Sequence, residues 1–379
     1  SKLNAAEKSD RIMYIITKNE AANFLVTAQN KFNSFSFEAN NVTDFVFATS
    51  DHYVWQSSSV EVDSVTHRRT RVDACYNPIH NDFQEVAFDA RRTVELMCNY
   101  FPAWPYPYEH ETIFDGLDQM EYPMMVNDNP LDDHEQTVEL TDHEIFHTMF
   151  PFYMGINETQ YAWMDEGWAT IGEWQLSPLI DTTLFDNYGI TRMEDAWNKQ
   201  LASVTITNSL SLTGPNYFVN SYAKPGLIYY TLWNMLGDSM WNVCLHNYIN
   251  NWNGHHPMPY DFFNSFNTAS GKNLDWFWFN WFYKTDVIAD LKVDTVSFAN
   301  GLANIQISNP GGLALPVYLH LKYSDGTESE VNLHADRWNG KGRFTLPVLV
   351  PFDKTLTEVT IGNLRIPDCH KENNTFIFH

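Results

Sequence analysis

The heptapeptide Thr141-Asp142-His143-Glu144-Ile145-Phe146-His147 holds two histidines four residues apart, with a glutamate directly after the first. If this segment is helical, His143 and His147 lie one turn apart on the same face, where both imidazoles can bind one Zn²⁺ at about 2.0–2.1 Å. Glu144 then lies close to the metal but projects from the helix in a different direction, where a general base can take a proton from a zinc-activated water. On its own, such a motif arises by chance in roughly a few per cent of chains.

Apolar residues at near-helical spacing predict the helix, and Pro151 is expected to end it: Val138, Ile145, Phe146, Met149 and Phe150. Glu166 follows His147 after eighteen intervening residues, in the segment Trp163-Met164-Asp165-Glu166-Gly167-Trp168-Ala169. A loop and a second helix fit into that space. Glu166 would complete a His₂Glu zinc site that leaves the fourth position to water, and Asp165 would orient a zinc-binding histidine.

H-E-I-F-H, eighteen residues and then D-E-G-W-A resemble the gluzincin pattern of the aminopeptidase N and leukotriene hydrolase family. Met120-Glu121-Tyr122-Pro123 is similar to the G-x-M-E-N strand of that family, in the Tyr-Pro form of some bacterial members. Tyr222-Ala223-Lys224-Pro225-Gly226 is similar to its Tyr-x-Lys-Gly helix start. The resemblance covers about residues 35–285, and the four motifs occur in the family's order.

The resemblance implies a zinc aminopeptidase with one Zn²⁺ per chain, acting on peptides or proteins with a free N-terminus. Glu121 is expected to hold the substrate's α-amino group, and its neighbours Met120 and Tyr122 to line the cleft. Tyr222 is expected to aim its phenol at the tetrahedral oxyanion, where it would share the developing charge. The sequence does not determine the location of the protein, and the family resemblance favours a periplasmic or secreted one.

Two other functions stay open. One is a zinc endopeptidase or other zinc hydrolase on the same scaffold, since the family includes a member that acts on a lipid epoxide. The other is a zinc-bound binding protein that has lost catalysis. Intact Glu144 and Tyr222 argue against that loss, because neither residue is needed merely to hold zinc.

The predicted fold class is α+β, with a thermolysin-like catalytic domain over residues 51–286 and a β-sandwich over residues 287–379. Residues 1–50 are expected to be the remnant of an N-terminal β-domain, with strand-like runs at 11–17, 35–39 and 42–49. The chain starts with Ser-Lys-Leu-Asn, without an initiator methionine or a signal-peptide pattern, and is expected to be a fragment or a processed form.

Within the catalytic domain, strands are expected at 53–63, 69–76, 110–116 and 120–127. A helix is expected at about 82–100 with Asn81 as its N-cap. Further helices are expected at 222–236, 240–250, 260–269 and 274–284. The last of these is rich in Trp and Phe and is interpreted as core, in preference to a stacking surface for sugars.

Composition excludes some classes of function. The chain carries 23 basic and 47 acidic residues, a net charge of −24, which argues against nucleic acid and anionic membranes as partners. Its apolar runs are too short for a membrane span. Four scattered cysteines without a C-x-x-C pair are expected to be free thiols.

Overall fold

The computed structural model describes residues 2–23, 31–32, 34–184 and 188–378. They form two compact units. The first comprises the described parts of Ser1–Glu158, Met164–Phe185 and Leu245–Met258; the second comprises those of Thr159–Trp163, Asp186–Cys244 and Pro259–His379.

The helices, in chain order, are α1 (Lys2–Ala6), α2 (Lys18–Ala22), α3 (Phe83–Asn99), α4 (His134–Phe146), α5 (Glu166–Ile180), α6 (Tyr188–Asn198), α7 (Pro215–Phe218), α8 (Lys224–Leu236), α9 (Asp238–Trp252), α10 (Pro259–Ser270) and α11 (Asp275–Trp278). The strands are β1 (Met13–Ile16), β2 (Val54–Asp63), β3 (Arg68–Tyr76), β4 (His110–Asp115), β5 (Met120–Tyr122), β6 (Met125–Asp128), β7 (Lys292–Ala299), β8 (Leu302–Ser308), β9 (Val317–Tyr323), β10 (Glu328–Leu333), β11 (Arg343–Leu349), β12 (Leu356–Ile361) and β13 (Thr375–Ile377).

The first unit is built on a six-stranded sheet in the order β1-β2-β3-β4-β6-β5. The β3–β4 and β4–β6 pairs are parallel, and the other pairs are antiparallel. Helix α3 lies against β2, β3 and β4, and helix α4 packs on α3 and α5. This arrangement leaves the short strand β5 at the edge of the sheet, beside the helices that carry the zinc motif.

The second unit holds helices α6, α8 and α10, with two antiparallel sheets at its C-terminal end. The seven strands from β7 to β13 form a four-stranded sheet, β10-β9-β12-β13, and a three-stranded sheet, β11-β8-β7. The aromatic stretch before them is mostly core, as predicted: Phe277, Trp278, Trp281 and Phe282 are all buried. Phe279, by contrast, is 57% exposed.

Several predicted elements differ from the structure. Residues 35–39 and 42–49 form no strand in this described segment, and their phenylalanines are exposed. A β-prone run becomes a strand only when a neighbouring strand accepts its hydrogen bonds. Residues 120–127 are a hairpin of β5 and β6, because Pro123 supplies the fixed φ that a turn position requires.

Two helix starts are also displaced. The N-cap of α3 is Asp82 instead of Asn81, and the Asp82 carboxylate accepts the Leu131 backbone N–H at 2.8 Å. Helix α8 begins at Lys224, because Val219–Ala223 form a wider π-helical turn that includes Tyr222. The architecture as a whole is mixed α+β, as the sequence predicted. No helix in the described ranges is long and apolar enough to cross a membrane.

Candidate active site

His143, His147 and Glu166 meet in the first unit, with one candidate ligand atom from each lying within 4.8 Å of the others. His143 lies in the last turn of α4, His147 is the C-cap residue of that helix, and Glu166 is the first residue of α5. Glu166 Oε2 is 3.3 Å from His143 Nε2 and 3.4 Å from His147 Nε2. The two Nε2 atoms therefore converge on one carboxylate oxygen.

The other nitrogen of each imidazole is held by a second carboxylate. His147 Nδ1 lies 2.6 Å from Asp165 Oδ1 and 3.1 Å from the Phe150 carbonyl oxygen. His143 Nδ1 lies 3.1 Å from Glu173 Oε2. A Nδ1–H that donates to a carboxylate fixes the tautomer and leaves Nε2 able to present its lone pair to a metal.

Charge is closely matched in this cluster. Burial alone would lower the pKa of His143, but hydrogen bonds to Glu166 and Glu173 outweigh it and raise this pKa to about 10. Burial alone would raise the pKa of Glu166, but the hydrogen bonds from both histidines hold it well below its ordinary value. The three groups thus form a buried ion-pair network, in which a divalent cation can replace the histidine protons.

Glu144 lies next to this cluster and is almost fully buried, with 5% exposure. No described residue donates a hydrogen bond to its Oε2 atom. Burial raises the pKa of Glu144 to about 8, although the neighbouring histidines work in the opposite direction. A buried carboxylate with one unpartnered oxygen, beside a metal-binding group, is suited to accept a proton from a reacting molecule.

Glu121 approaches the cluster from the edge strand β5, where it pairs with Val126 of β6. Its side chain is buried, and a carboxylate oxygen lies within 4.8 Å of candidate ligand atoms of Glu144 and His147. Met120 is 40% exposed and Tyr122 is half-buried. Because side chains alternate along a strand, Met120 and Tyr122 point to the face opposite Glu121.

Buried contacts between helices position the ligands. Asp142, directly before His143, accepts hydrogen bonds from Thr93 of α3 and from Ser177 of α5, the latter at 2.8 Å. Thr141 donates to Asp128 at the end of β6 at 3.0 Å. These contacts tie α4 to α3, α5 and the sheet at the point where the motif begins.

The donor set fits zinc. Two imidazole nitrogens and one carboxylate oxygen are the ligand types of catalytic zinc sites, which keep an open fourth position. The described residues therefore include a group able to hold a metal, and its donor atoms come from the positions that the motif spacing predicted.

A comparison with protein families agrees with the motifs in this region. The family model described as the peptidase family M1 domain matches residues 116–281. The match confirms the aminopeptidase N-like gluzincin family that the motifs predicted, and it spans the segments that hold Glu121, the H-E-x-x-H motif, Glu166 and Tyr222.

A solved structure shares the fold. It is the crystal structure of Legionella pneumophila aminopeptidase A in complex with aspartic acid, with a TM-score of 0.58 and 16% sequence identity. The similarity covers 78% of this chain and 36% of that chain, so this chain spans about a third of that structure's length. Among curated proteins, no sequence matches this chain.

Tyr222 lies in the second unit, unlike the other predicted site residues of the M1 domain. It belongs to the π-helical turn before α8, and its ring centroid is 5.8 Å from that of Phe218. Two residues later, the buried Lys224 amine donates to the Ser203 carbonyl oxygen at 2.6 Å. This bond anchors the turn within its own unit, and the catalytic role of Tyr222 stays a prediction.

The M1 motifs did not reveal Glu173. It lies on α5 seven residues after Glu166, and two helical turns bring it back to the same face. That spacing could have indicated a carboxylate beside the ligands. Two further histidines contact other groups: His256 Nδ1 is 2.7 Å from the Gly155 carbonyl oxygen, and His134 Nε2 is 3.6 Å from Glu85 Oε2.

Proposed function

We propose that this chain is a zinc-dependent aminopeptidase, which hydrolyses the first peptide bond of a peptide or protein with a free N-terminus. One observation carries the proposal. A His₂Glu group lies in one buried cluster with two further carboxylates, Glu144 and Glu121, to which we assign the acid–base and amine-binding roles that such a reaction needs.

His143, His147 and Glu166 would hold one zinc ion. When bound, zinc supplies a Lewis acid that polarises the scissile carbonyl and makes water more acidic. Asp165 and Glu173 keep the two imidazoles oriented through their Nδ1 atoms.

Glu144 is the proposed general base. It takes a proton from the attacking water and passes it to the amine of the leaving peptide. The burial that raises its pKa helps it to hold this proton between the two transfers. Tyr222 is proposed to stabilise the oxyanion, a role that rests on the resemblance to the family.

Glu121 is proposed to bind the α-ammonium group of the substrate, which would make the enzyme an exopeptidase. Removing one partner of a partly desolvated charge pair costs about 2–5 kcal/mol. Glu121→Ala should therefore lower kcat/KM on free-amine substrates by roughly 30- to several-thousand-fold. N-acetylated versions of the same substrates should be poor for the wild type and change little in the variant.

The experiment is hydrolysis of a panel of aminoacyl fluorogenic amides and their acetylated forms, with and without a chelator. Chelation should abolish the activity, and zinc should restore it. Equal cleavage of free and acetylated substrates would instead indicate an endopeptidase and remove Glu121 from the proposed role. Retained zinc without hydrolysis of any substrate would indicate a zinc-bound binding protein. The resemblance also leads us to propose a periplasmic or secreted location.

A further inference from the structure

The second unit contains a cavity of about 340 Å³ that the proposed reaction does not use. This volume lies at the lower end of the range for small-molecule sites, so the cavity has room for one small ligand. An alanine, a valine and a leucine supply the apolar part of its wall. The polar part consists of hydroxyl and amide groups: Ser203, Thr207, Ser211, Thr213, Thr285 and Asn216.

Most of these hydroxyl groups are available to a ligand. Ser203 Oγ accepts a hydrogen bond from Asn216 Nδ2 at 3.2 Å. The other four hydroxyls have no hydrogen-bond partner within the described part of the chain: Thr207, Ser211, Thr213 and Thr285. Each of them can donate one hydrogen bond and accept others.

The absence of charge in the wall indicates the class of ligand. Among the described residues, none that lines the cavity is ionisable. An ionised ligand would lose hydration there without gaining an opposite charge, which is costly. The net charge of −24 on the whole chain disfavours anions further. An uncharged ring that carries several hydroxyls can instead exchange hydrogen bonds with the wall and place its apolar faces on the aliphatic side chains.

Two residues of the cavity wall also hold the turn that carries Tyr222. The Ser203 carbonyl oxygen accepts a hydrogen bond from the Lys224 amine at 2.6 Å. The Asn216 carbonyl oxygen accepts one from Asn220 Nδ2 at 2.8 Å. Asn220 and Lys224 lie two residues before and two residues after Tyr222. The cavity wall is therefore connected to the turn on both sides of the phenol.

The turn itself is incompletely satisfied. It is the π-helical segment Val219–Ala223, in which Asn220 and Ser221 are each 1% exposed. Asn220 Oδ1 and Ser221 Oγ have no hydrogen-bond partner among the described residues. Buried polar atoms without partners cost free energy, so the contacts from the cavity wall matter for the conformation of this turn.

We propose that the cavity binds one uncharged monosaccharide, and that the bound sugar stabilises the Tyr222 turn through Ser203 and Asn216. A ligand that hydrogen-bonds to the wall restricts the motion of these two residues, which in turn hold Lys224 and Asn220. Any effect on catalysis rests on the proposed function, because it assumes that Tyr222 stabilises the oxyanion. Binding of the sugar and its effect on the turn do not.

Binding is measured on the full chain by ligand-observed NMR titration, with glucose, galactose, mannose and N-acetylglucosamine as probes. At least one of these sugars should bind saturably to the wild type. Thr207→Val and Thr213→Val keep the shape of the side chain and remove a hydroxyl. Each should weaken binding by about 2- to 10-fold, the usual effect of losing one neutral hydrogen bond, and the double variant should weaken it further.

Thr345→Val is the matched control. Thr345 is an exposed residue on β11 in the same unit, and it does not line the cavity. This variant should bind the sugar as the wild type does. Absence of saturable binding for all four sugars would overturn the proposal. Unchanged affinity in the double variant, or an equal loss in Thr345→Val, would place any bound sugar elsewhere and also overturn it.

Hydrogen exchange tests the effect on the turn without using activity. Amides of residues 219–223 should exchange more slowly in the presence of the sugar, whereas those of β11 should not change. Sugar binding without slower exchange in the turn would overturn the coupling. In an active enzyme the sugar should also raise kcat and leave KM unchanged. Slower exchange in a chain without peptidase activity would leave this inference standing while the proposed function fails.

Discussion

At the residue scale, substitution of Glu144 distinguishes zinc binding from catalysis. This carboxylate lies beside the ligand triad without belonging to it, since Glu166 is the carboxylate that both Nε2 atoms face. Glu144→Gln keeps the shape of the side chain and removes its basicity. The variant should retain its zinc, while kcat falls by about 10²–10⁴, the usual effect of losing a positioned general base.

The measurement pairs elemental analysis of the variant with steady-state kinetics on an aminoacyl amide. Zinc content should equal that of the wild type when both proteins are desalted under the same conditions. Loss of the tightly held zinc would show that Glu144 is a ligand, and full activity would show that it has no catalytic role.

Glu173 is predicted to strengthen zinc binding through His143. Outer carboxylates of this kind usually change metal affinity by about 10- to 100-fold when they are removed. Glu173→Gln should therefore weaken zinc binding to a comparable degree, as measured by competition with a chromophoric chelator. Glu135→Gln is a suitable control, because Glu135 is an exposed carboxylate on α4 that accepts a hydrogen bond from Thr183. Equal affinity in the two variants would remove Glu173 from this role.

The residues of the site could be anticipated from sequence to the extent that short motifs encode them. The spacing of His143, His147 and Glu166 implied a shared location, and the structure brings these side chains together. Glu173 belongs to no motif, and only the register of α5 places it beside His143. Whether Tyr222 acts with these residues depends on tertiary geometry that its motif does not contain.

At the element scale, α4 and α5 must approach closely, because each contributes ligands to the same site. Gly172 of α5 faces the ring of Phe146 on α4, and a Cβ atom at this position would lie closer than 3.0 Å to that ring. Phe146 is fully buried and stacks with Phe101 and Phe150. The ring therefore has little room to move aside.

Gly172→Ala should consequently destabilise the protein by about 1–3 kcal/mol, the usual cost of overpacking a core. It should also weaken zinc binding, because the added methyl group moves His143 and Glu166 apart. Chemical denaturation and chelator competition measure the two effects. Gly342→Ala is the control, since no atom lies within 4 Å of a Cβ at that position and it should change neither quantity. Unchanged zinc affinity in Gly172→Ala would mean that the site tolerates a shift between these helices.

Element prediction succeeded where a local pattern coincided with burial. The helix after Asp82 follows its apolar periodicity closely, and the strand before Asp63 alternates as expected over Val60–Val62. Element prediction failed where the structure of a segment depends on residues distant in sequence. The run 42–49 has strand-like residues but no strand, and the turn before α8 widened at a place where the sequence predicts an ordinary helix start.

At the scale of the whole molecule, the resemblance to a family predicted more about fold and function than composition did. The family match confirms the peptidase family and the α+β class, whereas composition indicated only an acidic globular chain. The predicted boundaries at 50/51 and 286/287 stay predictions. The two compact units divide the chain differently, because segments distant in sequence pack together: residues 245–258 belong with the first unit.

The acidic character of the chain extends into its core. Glu111 on β4 is fully buried and accepts hydrogen bonds from Tyr106 and Thr148. Burial raises its pKa from an ordinary 4.5 to about 8, against the effect of those bonds. Asp128 at the end of β6 is also buried, which raises its pKa from 3.8 to about 7. Both groups are protonated in the folded protein at a pH where the unfolded chain has already ionised them.

This difference predicts that the metal-free protein loses stability as the pH rises. Between about pH 4 and pH 8 the folded state holds protons that the unfolded state has released, so a higher pH favours unfolding. The pKa of His143 is also raised in the folded state, to about 10, which works in the same direction above its ordinary 6.5. Glu166 opposes the trend only below its ordinary pKa of 4.5, since its pKa is lowered in the folded state.

The Tm of chelator-treated protein, measured by circular dichroism, should therefore fall steadily from about pH 5 to about pH 8. Glu111→Gln, which cannot ionise, should show a shallower fall over the same interval. A Tm that rises with pH would show that these carboxylates are ionised in the folded protein and balanced by cations.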